Sequence, residues 1–182
     1  MMMKITFRLI LFLLGTQFLL CQESISSSEI VFDDFLKNEN LEKREAFKAK
    51  SISKVEDLYS YLNIIGNTDF EYDIRNHTAT LVKNLFVEEA TVSMVLVTEE
   101  KPLLVNDFLE ILLKSKEKVQ FKITDIQLES NTIHYALSVT EGTKNSTSKN
   151  TRQTIQWAYK TKLFGNKSRE VLSSTLGSVD MY

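Results

Sequence analysis

One cysteine, one proline, five glycines and two histidines occur in 182 residues. A single thiol forms no internal disulfide. That cysteine, Cys21, falls at the end of a leader, so the mature chain is expected to carry none. Cys–His catalysis is thereby excluded, and His77 and His134 alone supply too few ligands for a structural zinc site of the usual kind. Without glycine-rich runs there is no phosphate-cradling loop. With so little proline and glycine, a flexible linker or low-complexity segment is not expected. No cofactor or metal is indicated. An excess of one charge is also missing: 22 Lys and Arg stand against 24 Asp and Glu, for a net charge of -2. A nucleic-acid surface needs clustered cations. Runs such as Lys43 to Lys50 are instead interleaved with glutamate and read as a solvated helix face. Nucleic acid is not an expected partner.

What is present begins with a targeting segment. Lys4 and Arg8 precede an apolar stretch, Leu9 to Leu20, interrupted by Gly15, Thr16 and Gln17. This is the layout of a secretory signal peptide, and it falls short of the ~20 apolar residues that span a bilayer. Cleavage is expected after Cys21 or within a few residues, although Leu19 and Cys21 are larger than the favoured small pair. A bacterial lipoprotein acylated at Cys21 is the rival reading, and Phe18, Leu19 and Leu20 argue against it. The expected organisation is a signal peptide over 1–21, a helical N-terminal extension over 22–52 and an α+β roll domain over 53–182. The mature protein is expected outside the cell, with no membrane association once the signal is removed. Its roughly 160 residues suffice for a core without disulfides.

Ser26 and Glu29 have capping-box spacing and predict a first helix running to about Lys50. Ser53 and Glu56 repeat that spacing before a second helix, in which Val55, Leu58, Tyr59 and Leu62 share one face and Gly66-Asn67 follows. The period then changes to two. Phe70, Tyr72 and Ile74 alternate, and Leu81–Val87 and Thr91–Thr98 read as further strands, the last apolar on both faces. Pro102 suits the first turn of a third helix, with Val105, Phe108, Leu109 and Leu112 as its stripe, widened by Leu104, Ile111 and Leu113. Val119, Phe121 and Ile123 point one way, whereas Ile126 and Leu128 have the opposite parity. A bulge near Thr124-Asp125 restores the facing. Ser130-Asn131 turns the chain into a strand carrying Ile133, Tyr135, Leu137 and Val139. A polar loop, Glu141 to Asn150, leads to Ile155, Trp157, Tyr159 and Leu163, a turn at Gly165-Asn166, and a closing strand over Val171–Leu176.

Two segments echo each other, Val82–Leu96 and Ile123–Leu137. The echo is either a duplicated helix-plus-hairpin unit or the ordinary likeness of two amphipathic hairpins. Unequal spacers favour the second.

The order helix, helix, strands, helix and long bent strands resembles the nuclear transport factor 2-like group, a cystatin-like α+β roll. The nearer likeness is to small secreted members of the kind expanded in nematodes. It rests on Val105–Lys116, the run VQFKITDIQLESNTIHYALSVT and the aromatic strand TIQWAYKTKLF, within roughly Val55–Leu176. The chain departs from that pattern in lacking mature cysteines and in one extra expected strand before the third helix. The resemblance implies a curved antiparallel sheet packed against two or three helices around a conical cavity. In that group the cavity serves as an enzyme site, a binding pocket or a dimer surface.

No catalytic set is complete. His77 lies within a sequon and His134 on the polar side of its strand, both read as solvated, and no nucleophile-elbow pattern is present. A cavity enzyme of the isomerase or dehydratase kind would draw on Asp125, with Tyr135 or Tyr159 as donor; core packing is the plainer role for those tyrosines and for Trp157. The reading leans to a secreted, non-enzymatic domain that binds a small apolar ligand or a protein partner, with homodimerisation through the sheet face compatible with either. Asn76, Asn145 and Asn166 begin Asn-x-Ser/Thr sequons in predicted turns or loops, and are the expected glycosylation sites.

Overall fold

The computed structural model describes residues 40–93, 102–145 and 148–182. The predicted signal peptide, the predicted Ser26–Glu29 cap and most of the predicted 91–98 strand lie outside them. Among these residues, three helices pack on a curved, unclosed mixed sheet. They are α1 (Leu41–Gly66), α2 (Tyr72–Lys83) and α3 (Val105–Lys114). The strands are β1 (Thr91–Val92), β2 (Leu103–Leu104), β3 (Val119–Glu129), β4 (Thr132–Glu141), β5 (Lys144–Asn145), β6 (Lys149–Phe164) and β7 (Lys167–Met181). Their order across the sheet is β2-β1-β7-β6-β4-β3, with β5 folded back on β4. The α+β roll expected from the sequence is therefore observed, with one amendment: β1 runs parallel to β7, so the sheet is not purely antiparallel.

The two predicted N-terminal helices are one on the described side. Asn40 caps α1 by accepting from Lys43 N at 2.9 Å, and the helix runs unbroken through Ser53 to Gly66. The Ser53–Glu56 capping box goes unused because the preceding turn is already helical. Ser51 is 0% exposed, its hydroxyl turned back on Phe47 O at 2.8 Å. Phe47 packs edge-on to Trp157 with ring centroids 5.8 Å apart, so α1 meets the sheet on both sides of residue 53, the expected boundary between extension and roll.

A second correction concerns residues 70–83. Phe70, Tyr72 and Ile74 alternate in sequence but do not form a strand. Tyr72 and Ile74 lie in α2, and all three are exposed. The inward side of α2 is Arg75, Thr78, Ala79 and Val82, at i, i+3, i+4 and i+7. Leu81–Val87 is likewise helix end and turn, with one isolated bridge, Phe86 to Leu176. The duplicated-unit reading of the echo, already the less favoured of the two, finds no support here, since Val82 lies at the end of a helix whereas Ile123 lies within a strand. Pro102 precedes β2 and stands outside α3, and Leu104 and Ile111 are exposed.

Elsewhere the pattern holds. Val105, Phe108, Leu109 and Leu112 are buried, as are Ile133, Tyr135, Leu137 and Val139. The β3–β4 register shifts between Thr124 and Gln127, with Asp125 at φ 55. Part of the predicted 141–150 loop is strand: Gly142 turns at φ 56 and Lys144 pairs with Glu141. The core lies between α1 and the sheet. Leu58, Leu62, Ile65, Ile133, Leu137, Ile155 and Leu176 are at most 1% exposed. Asn63 joins α1 to edge strand β3, donating to Phe121 O at 2.9 Å and accepting from Phe121 N at 2.7 Å.

Candidate functional site

The inner face of the roll holds a short polar chain. The Tyr59 hydroxyl on α1 lies 2.8 Å from that of Tyr135 on β4, and Tyr135 donates to Gln153 Oε1 on β6 at 3.4 Å. The rings pack as well: Tyr59 and Tyr135 centroids are 5.5 Å apart and nearly perpendicular, and Tyr59 and Phe121 are 6.1 Å apart. Burial holds both phenols above the usual tyrosine pKa. For Tyr59 the charge and hydrogen bond of Tyr135 add to the shift, whereas the hydrogen bond from Tyr59 partly offsets it at Tyr135. Gln153 Nε2 and Ser174 Oγ find no hydrogen-bond partner among the described residues. This chain of neutral donors fixes how α1 sits on the sheet. It contains no carboxylate or imidazole to move a proton.

The structure separates the residues suggested for catalysis. Asp125 is exposed at the bulge, whereas Tyr135 is 3% exposed and engaged in the core. Tyr159 is half-buried on β6, with β4 lying between its strand and that of Asp125. His77 is exposed on α2. His134 stands at the sheet surface, 4.0 Å from Glu129 and 3.5 Å from the Tyr182 hydroxyl. Among the described residues, no three His, Cys, Asp or Glu gather as metal ligands, and no helix is long and apolar enough to cross a membrane. Asn76 is exposed, but on α2 instead of the predicted turn. Asn145 lies in β5, and Asn166 is exposed at the β6–β7 turn.

Two open grooves lie away from the inner face. One of about 610 Å³ runs between the turn after α2, the start of α3 and β7, with Lys83, Glu88, Glu89, Lys160 and Thr175 among its walls. The other, about 330 Å³, lies between α2 and α3. Both have charged rims, unlike the apolar lining usual for a small-molecule site.

Among the described residues, the most exposed large apolar side chain lies at the tip of the β6–β7 hairpin. β4 pairs with β6 only over Lys149–Thr154, and beyond that β6 has β7 as its ladder partner. Every residue from Thr161 to Glu170 is exposed. Leu163 and Phe164, at the tip, are 76% and 56% exposed. Gly165 takes φ 61 at the turn, a conformation that suits glycine. The hairpin is thus an arm standing off the body, whereas the sequence alternation carried Leu163 along with the core residues Ile155 and Trp157. Length was the overlooked signal: β6 has 16 residues and its neighbour β4 has 10. The cations Lys160, Lys162, Lys167 and Arg169 were the other. At the root of the arm, half-buried Lys54 of α1 donates to Ser174 O. Burial lowers its pKa below the lysine norm, the nearby charges of Lys50, Lys160 and Lys162 lower it further, and Asp57 opposes them. In comparison with known proteins, no family model matches the chain, and no curated protein matches it.

Proposed function

We propose that the chain is a secreted, non-enzymatic binding domain of the nuclear transport factor 2-like roll kind, and that it engages a protein partner through the β6–β7 arm. The arm carries this reading: ten consecutive exposed residues, 161–170, present Leu163 and Phe164 beyond the body of the fold. An isolated two-stranded hairpin is marginal in water, and exposed apolar groups on such a projection favour contact with another surface. The alternative of a small apolar ligand has less support. The aromatic residues that would line its site, Tyr59, Tyr135 and Trp157, pack against one another or against Phe47 on α1. An enzyme acting through Asp125 is disfavoured by the exposure of that carboxylate.

The test begins with protein secreted from eukaryotic cells. Native mass spectrometry reports leader cleavage, glycans at Asn76, Asn145 or Asn166, and any retained molecule. A photo-crosslinking residue is then placed at Phe164 and, separately, at Lys122 on β3. A discrete protein captured from extracellular material through Phe164 and not through Lys122 is the expected outcome. A retained apolar small molecule that survives removal of the arm would replace this reading with the ligand-binding one.

A further inference from the structure

The register of the arm sorts its charges. Directly opposed residues of antiparallel strands share a face. Lys160 opposes Val171, Lys162 opposes Arg169 and Phe164 opposes Lys167. One face therefore holds Lys160, Lys162, Lys167 and Arg169 with Phe164 at the tip. The only carboxylate of the arm, Glu170, opposes Thr161 on the other face, with Leu163 and Ser168. Among the described residues, no ion pair reaches any of the four cations. Lys162 directly opposes Arg169, a like-charge pair that destabilises a ladder. Lys50 and Lys54 of α1 bring further positive charge to the root.

The backbone supplies a second observation. Ile155 donates to Asn131 O, and beyond Trp157 the outer edge of β6 pairs with no other strand among the described residues. Among the described residues, its main-chain donors and acceptors are left open along the cationic stretch. Lysines on an edge guard against pairing with like or neutral strands. A second copy of the arm would set cations beside cations. The same charges favour an acidic strand.

We propose that the β6 edge of the arm receives an extended protein segment bearing Asp or Glu at every second position, added as a further strand. This inference deepens the protein-partner reading and rests on it. Side chains of a strand alternate between faces and recur on one face about every 6.8 Å. Alternate carboxylates of the incoming segment would thus lie along the Lys160–Lys162 face. The intervening side chains would fall on the face of Tyr159, Thr161 and Leu163, where apolar or threonine residues fit. Main-chain pairing supplies affinity and the alternating side chains supply selection, as in other strand-addition complexes.

The probe is a short fluorescent peptide of alternating Val and Glu, compared with an isomer of the same composition carrying its valines and glutamates in separate blocks. The alternating peptide is expected to bind the full mature chain at least about tenfold more tightly, and more weakly as salt rises. The charge-reversed variant K160E/K162E/K167E/R169E is expected to lose about tenfold or more. To keep the test independent of the folding of that variant, hydrogen exchange is also measured on the wild-type chain, where the alternating peptide should slow amides of β6 between Ala158 and Leu163. Equal binding of both isomers, undiminished binding by the charge-reversed variant, or slowed amides elsewhere would overturn the inference. So would binding of heparin or phosphatidylserine vesicles without binding of the alternating peptide. If the peptide fails while the Phe164 crosslink still captures a protein, only this inference falls.

Discussion

A single arginine ties the three helices together. Arg75 on α2 is 7% exposed, and its guanidinium donates to Ile65 O at 2.6 Å and to Leu112 O and Leu113 O at 3.1 Å each. Those carbonyls belong to the last turns of α1 and α3, where the helix dipole favours a cation. Arg75→Met leaves them without their donor and is expected to cost on the order of 3 kcal/mol in denaturant unfolding. Arg75→Lys should recover less than half, because an ammonium cannot present the forked donors. The buried tyrosines make a pH prediction. Burial raises both folded pKa values above 10.0. A raised acid contributes stability that is whole below the unfolded pKa and is lost as pH climbs toward the folded one. The protein should therefore lose stability above pH 10, and tyrosinate absorbance should rise in two stages, with Tyr59 and Tyr135 ionising only on unfolding. The sequence placed Tyr59 and Tyr135 on apolar faces, which is where they are. It did not single out Arg75, because a buried cation whose partners are carbonyls 10 and 37 residues away leaves no local pattern.

Elements were legible where a long period was unbroken, as in α3, β3 and β4. The bulge at Asp125 could be read because parity reversed between Ile123 and Ile126. α2 was misread because three alternating apolar residues outweighed a helical stripe that begins with Arg75 and Thr78. The extent of the arm was hidden for a different reason: alternation reports which residues share a face, and not whether anything covers that face. Two predictions belong here. A Cβ on Gly66 would lie 2.5 Å from Val119 O. Gly66→Ala gains up to about 1 kcal/mol of helix propensity. The obstruction is backbone of β3 and cannot swing aside, so a net loss of about 1–2 kcal/mol is expected in thermal or denaturant melts. Conversely, joining Lys160 to Val171 through Asn-Gly removes only exposed residues. That shortening should change unfolding free energy by no more than about 1 kcal/mol, while abolishing the Phe164-dependent crosslink.

At the scale of the molecule, the α+β class followed from the order of elements, but the order of strands across the sheet did not. β1 is two described residues long, and its partner β7 is the last strand in the chain. No local pattern announces that Val92 will pair with Val179. The position of β7 also governs when the fold can exist. It lies between β1 and β6, so the two flanks of the sheet remain separate until it is in place. A nascent chain would expose Val92 some 87 residues before Val179 arrives. At ~5–20 residues per second that is roughly 4–17 s of waiting. Through that interval the β1 segment and the inner surfaces of β4 and β6 must be kept from other chains. The keystone of this protein is a strand that emerges long after the first segment it holds, and the sheet becomes continuous only once that strand has arrived.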